Sequence, residues 1–128
     1  MSSYVKIGEI KLNNPKFAIT KKEQTLGLMG VENPHVMIFP YKTADIRKFW
    51  MKNTPAPLDI IFCKAGKVIY IGKGNPFDES LVGPDLPNDL IIETKAGFCE
   101  NNNIKIGSIV KVKYNKEALL KLIFVSQE

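Results

Sequence analysis

The sequence has 128 residues, of which 45% are hydrophobic and 24% charged. That is one globular domain, and it excludes a disordered chain. No apolar run approaches the roughly 20 residues of a membrane helix, and the opening Met1-Ser2-Ser3-Tyr4 has no leader-like stretch, so a cytoplasmic protein without a membrane partner is expected. The net charge of +5 rests almost wholly on lysine, with Arg47 the only arginine, and Lys105, Lys111, Lys113, Lys116 and Lys121 interleave with Ile109, Val110, Val112 and Tyr114. Base reading and bidentate phosphate gripping favour the guanidinium fork. The lysines therefore read as wet faces of half-buried strands, and no specific nucleic acid is expected.

In chain order, alternation at period 2 predicts strands near 5–9 and 16–19, separated by a turn at Asn13-Asn14-Pro15. Thr20-Lys21-Lys22-Glu23 has the spacing of a capping box and predicts a helix over about 21–29. Further strands are predicted at 36–39, 48–53, 58–63 and 68–71, with a polar turn over 42–47 and a hairpin at Lys64-Ala65-Gly66-Lys67. Residues 73–89, rich in Gly, Pro and Asp, form a long connection that reads either as a lid or as a rigid crossover. Strands at 90–95 and 109–114 complete a β domain over residues 1–114. The extension 115–128 is either a helix capped by Asn115 or an edge strand. These elements predict a mainly β, single-domain sandwich or barrel with one or two short helices.

Two cysteines, Cys63 and Cys99, and a single histidine, His35, offer no metal-ligand spacing, and no metal or cofactor is expected. Both thiols are expected to be free, Cys63 in the core and Cys99 nearer the surface. Chemistry concentrates in Phe49-Trp50-Met51-Lys52-Asn53-Thr54-Pro55-Ala56-Pro57-Leu58-Asp59. In an extended chain Trp50 and Lys52 share one face, presenting an indole beside an ammonium to an anion or a flat ring. Asp59 lies within an apolar run and needs a partner, for which Lys52, Asn53 or amides of the Pro55-Ala56-Pro57 bend are candidates.

The segments Thr20-x-x-Glu23-x-x-x-Gly27-Leu28-Met29, Phe39-Pro40, Phe49-Trp50-Met51-Lys52-Asn53-Thr54, Pro57-Leu58-Asp59-Ile60-Ile61-Phe62, Gly66-x-Val68 and Glu93-x-x-x-Gly97 resemble, in order and spacing, the bacterial and archaeal family known as domain of unknown function 192. The resemblance spans roughly residues 5–113. It implies a compact jelly-roll β-sandwich and no established reaction. The chain departs from the pattern at Gln24, where the family usually has Arg, at Pro34-His35 in place of Gly-Met, and at Gly107-Ser108 in place of Gly-Asp. It also lacks a Cys pair in 73–89 that many relatives carry.

The functional expectation is a non-enzymatic binding module for a small ligand or a protein segment, with Trp50, Lys52, Asn53 and Asp59 as ligand-binding residues. One alternative is a structural or assembly protein, such as a component of a phage particle. The other is a hydrolase-like enzyme with Asp59 or Glu93 as general base and Lys52 as electrostatic partner.

Overall fold

The computed structural model describes residues 2–127. The elements are β1 (Tyr4–Ile7), β2 (Ile10–Asn13), β3 (Lys16–Phe17), α1 (Lys21–Leu26), β4 (Met37–Ile46), β5 (Leu58–Lys64), β6 (Lys67–Gly74), β7 (Pro87–Lys95), α2 (Phe98–Asn101), β8 (Val110–Lys113) and α3 (Lys116–Phe124). They form a three-stranded sheet in the order β2-β1-β8 and a five-stranded sheet in the order β3-β4-β7-β5-β6. Among the described residues, no helix is long and apolar enough to cross a membrane.

The closed barrel or jelly-roll sandwich expected from the sequence does not form; the described residues make a mixed α/β fold with two open sheets and three helices. Two features account for the difference. First, β3 and β4 pair in parallel, which requires a crossover, and α1 lies within it. Second, among the described residues the sheet edges are stitched only over a short stretch, by the Lys67–Ile109 bridge and its flanking bonds (Val110 amide to Gly66 carbonyl, 2.8 Å; Val68 amide to Ser108 carbonyl, 3.0 Å; Gly107 amide to Val68 carbonyl, 2.8 Å), and no ladder runs on from β6 into β8.

β5 and β7 are central strands of the larger sheet and are largely buried on both faces, which is why their middles, 60–63 and 90–92, are apolar without alternation. One face packs against the small sheet through Val5, Ile7, Ile38, Ile61, Cys63, Leu90, Ile92 and Val110. The opposite face carries a second cluster of Phe39, Leu58, Ile60, Phe62 and Ile91, covered by Leu28, Met51 and Ala56 from irregular segments. The hairpin joining β5 to β6 turns at Ala65 (φ +50°) and Gly66 (φ +77°), the pair of positive φ values that a two-residue hairpin turn favours.

The expected strand at 48–53 is absent apart from a bridge between Phe49 and Val82. Its apolar residues are buried by draping the segment across the second face, and Asn53 in the left-handed region (φ +55°), followed by Pro55 and Pro57, stops it from joining a ladder. The expected turn over 42–47 is instead part of β4, which runs to Ile46 with a register shift between Pro40 and Asp45. Arg47 braces that irregularity, donating to the Asn88 carbonyl (2.7 Å) and lying over the Tyr41 ring (3.7 Å).

The connection between β6 and β7 shortens to residues 75–86 and is a fastened crossover. The Phe77 amide donates to the Thr54 carbonyl (3.0 Å), the Met51 amide donates to the Asp78 carbonyl (2.7 Å), and Lys48 pairs with Asp85 (2.6 Å).

The capping box is present in full. Thr20 Oγ1 accepts from the Glu23 amide (3.1 Å), and Glu23 Oε1 accepts from the Thr20 and Ile19 amides (both 3.0 Å). The helix ends three residues short of the expected 29, because Gly27 leaves helical geometry at φ +47°. Thr20→Ala is expected to cost about 1 kcal/mol, readable as a lower urea midpoint at unchanged slope.

The segment after Asn115 is a helix, with the Asn115 side chain accepting from the Ala118 amide (2.8 Å). Beyond it, Gln127 donates to the carbonyls of Ile19 (3.2 Å) and Pro40 (2.9 Å), tying the tail to the segment before α1 and to β4.

Candidate ligand-binding pocket

Strand register decides which charged residues can meet. In β5 and β7, Ile60 stands opposite Glu93, and Asp59 stands opposite Thr94. Directly opposed residues share a face, so Glu93 belongs with Ile60, Phe39 and Ile91, whereas Asp59 belongs with Ile61 and Cys63. The two carboxylates considered for general-base chemistry thus point to opposite sides of one sheet.

Asp59 is fully buried, and both of its oxygens are engaged within the protein. Its Oδ1 accepts from Lys73 Nζ (2.9 Å) on β6, and its Oδ2 accepts from the backbone amide of Cys99 (3.0 Å) in α2. Neither Lys52, Asn53 nor the proline bend supplies these bonds. Burial works to raise the carboxyl pKa, but the Cys99 amide and the Lys73 ammonium outweigh it and hold Asp59 below the ordinary carboxylate range. Cys99, expected nearer the surface, is buried with Cys63 in the inter-sheet cluster, and burial pushes both thiols up to about 12.

On the other face a cavity of about 390 Å³ opens between the end of α1, the loop 27–29, β4 and the segment 48–54. Phe39, Phe49, Leu28, Met29 and Trp50 supply most of its apolar wall, Lys48 and Lys52 its cations, and Glu93 its carboxyl. Trp50 is 43% exposed, and Lys52 Nζ lies 5.1 Å from the indole centroid. The side-chain alternation expected for 49–52 therefore survives without the strand, since Met51 is buried while Trp50 faces outward.

Asn53 is exposed and does not line the cavity. Its backbone carbonyl accepts from the Gly30 amide (2.8 Å), which joins the 48–54 segment to the loop after α1. Of the four residues singled out from the sequence, the structure brings Trp50 and Lys52 together, gives Asn53 a turn position, and puts Asp59 elsewhere.

Glu93 is 4% exposed, and burial pushes its pKa up to about 8. Gly27 makes room above it: a Cβ at that position would lie 3.8 Å from Glu93 Oε1 and 3.6 Å from Phe39 Cζ. Because the folded state holds this proton more tightly than the unfolded chain, stability is expected to fall as pH rises from the ordinary value of 4.5 through about 8. Glu93→Gln should flatten that part of a urea-midpoint profile against pH. Among the described residues there is no cluster of three or more His, Cys, Asp or Glu side chains arranged to hold a metal ion.

Sequence reasoning raised Glu93 only as an alternative base and missed the contribution of Phe39, Phe49 and the 27–29 loop. One signal was available for Glu93, a charge within the run Leu90-Ile91-Ile92-Glu93. The loop and the phenylalanines carried none, because their meeting depends on long-range packing.

Two open sheets with a partly apolar pocket on the outer face of the larger one define a small mixed α/β domain, and comparison with known proteins places it. The chain belongs to the DUF192 family, described as an uncharacterized ACR, which matches over residues 6–112. A protein of unknown function from Novosphingobium aromaticivorans DSM 12444 is similar at 30% identity, with a TM-score of 0.77 over 87% of this chain and 84% of that one. A Sinorhizobium meliloti 1021 protein described as a "putative transcription regulator" shares the fold at 21% identity, with a TM-score of 0.80 over 88% of this chain and 94% of that one. No curated protein matches significantly.

Proposed function

We propose that this protein is a binding module for a small anionic ligand bearing a flat ring, held in the pocket beside Trp50 and Lys52. The observation that carries this reading is the convergence, in one 390 Å³ cavity, of an exposed indole, phenylalanine walls, a lysine at the rim and a buried carboxyl. Small-molecule sites have this form, a mostly apolar concavity with a few polar groups that fix orientation. The indole and Phe49 offer area to a ring, and Lys52 offers an ammonium to its anionic substituent. Asn53 contributes by holding the 48–54 segment against Gly30, and Asp59 by holding the sheet and α2 together on the far side.

A thermal-shift titration with 1-naphthyl phosphate tests the reading. A ligand at 100 times its Kd adds about 2.7 kcal/mol of stability. The melting temperature is expected to rise with ligand concentration, and Trp50→Ala and Lys52→Ala should each weaken the response. A flat titration, or a response indifferent to both substitutions, would remove the proposal.

A further inference from the structure

The floor of the pocket holds its most specific chemistry. Glu93 is more than nine-tenths buried, and among the described residues no donor, acceptor or cation engages its carboxyl; burial alone perturbs it. Buried polar side chains nearly always have a partner; among the described residues Asn88 Oδ1 is the one sealed side-chain atom without one, so the Glu93 oxygens, which make no bond, open onto the cavity instead. Here the unpartnered group lines a cavity that Gly27 keeps clear above it. The two cations of the lining are occupied at the rim, Lys48 with Asp85 (2.6 Å) and Lys52 over Trp50 (5.1 Å).

A carboxyl in an apolar wall with no cation beside it is held in its neutral form. In that form it offers an O–H donor next to a C=O acceptor. Its planar complement is a ring edge with an acceptor nitrogen next to an amino donor, the pattern of aminopyridine and aminopyrimidine rings. A plain aromatic acid would fill the same walls but leave the carboxyl unpaired, and an amidinium would need the ionised form and meet a cationic rim.

We infer that the pocket takes an anionic nitrogen heterocycle whose ring nitrogen and adjacent amino group pair with Glu93, while the ring packs among Phe39, Phe49 and Trp50 and the anionic group reaches Lys52. The inference rests on the pocket reading above and specifies its ligand.

Calorimetry at pH 7 with three probes tests it: adenosine 5′-monophosphate, purine riboside 5′-monophosphate, which lacks the amino group, and 1-naphthyl phosphate, which lacks the whole edge. The adenine nucleotide is expected to bind at least about tenfold tighter than either of the others, as one matched hydrogen-bond pair allows. Glu93→Gln, whose carboxamide also presents a donor beside an acceptor, should keep the preference; Glu93→Met should erase it, so that the two purine nucleotides bind alike. Equal affinity for the two purine nucleotides would overturn the inference, as would loss of the preference in Glu93→Gln as complete as in Glu93→Met. If 1-naphthyl phosphate still binds in those cases, the pocket reading stands alone. Failure of all three probes to bind overturns both.

Discussion

Asp59→Asn is expected to destabilise the protein by about 1–3 kcal/mol, the range for losing a charge-assisted hydrogen bond in a buried setting. The carboxylate is fully buried, and each of its oxygens has a separate task, one toward Lys73 at 2.9 Å and one toward the Cys99 amide at 3.0 Å. An asparagine can keep only one acceptor, so either the amide loses its partner or an NH₂ group faces the ammonium. Lys73 is itself largely exposed, which puts most of the loss on the Cys99 side, where α2 is fastened to the sheet.

The pH dependence has a definite sign. A carboxyl held below its ordinary value of 3.8 in the folded state contributes stability that is present above that value and is lost as pH falls through the lowered one. The gap between the parent and the variant should therefore be full at neutral pH and narrow in acid, when both are followed by urea unfolding. Ligand binding in the pocket should be unchanged, since Asp59 lies on the other face of the sheet. A variant as stable as the parent would mean that the two bonds contribute nothing net.

Gly74→Ala is expected to cost a similar amount for the opposite reason, overpacking. A Cβ at Gly74 would stand 2.5 Å from Met51 Sδ and 3.1 Å from its Cγ and Cε, and Met51 is 1% exposed. Inserting a methyl into a filled core displaces side chains and backbone at a cost of about 1–3 kcal/mol. Gly72, two residues earlier on the same face, admits Val82 in the same way, its added Cβ falling 2.3 Å from Val82 Cγ1. Glycines in a strand mark close approach. These two let the 48–54 segment and the 75–86 crossover settle on β6.

Met51 lies between Trp50 and Lys52, so pushing it outward should shift Trp50 as well. The variant is thus expected to show both a lower urea midpoint and a changed Trp50 emission spectrum. Unchanged values of both would show that Met51 has room to move.

Much of the local structure was legible because its causes are local. Thr20 and Glu23 are three residues apart and satisfy one another's amides, so their spacing alone locates the start of α1. Gly66 beside Ala65 marks the hairpin, and the apolar runs at 58–63, interrupted only by Asp59, and at 90–92 mark strands buried on both faces. The family was legible from the order of Gly27-Leu28-Met29, Trp50-Met51-Lys52-Asn53 and Leu58-Asp59, and the match over residues 6–112 confirms it. The segment 48–53 misled because its alternation reports one buried and one exposed side without reporting what covers the buried side. A strand and a draped segment give the same pattern.

The sequence by itself determined the capping box, the β5–β6 hairpin, the two central strands and the family. It also determined that Asp59 would be a carboxylate in need of partners. Tertiary structure alone decided that β3 and β4 run parallel around α1, that the sheets stay open, and that Asp59 and Glu93 look to opposite sides. The physical reason is the range of the interactions involved. Caps and turns are set by neighbours a few residues apart, whereas the direction a carboxylate faces is set by strand register, here pairing Asp59 with Thr94 far along the chain, through a pairing whose loop-closure cost no local pattern records.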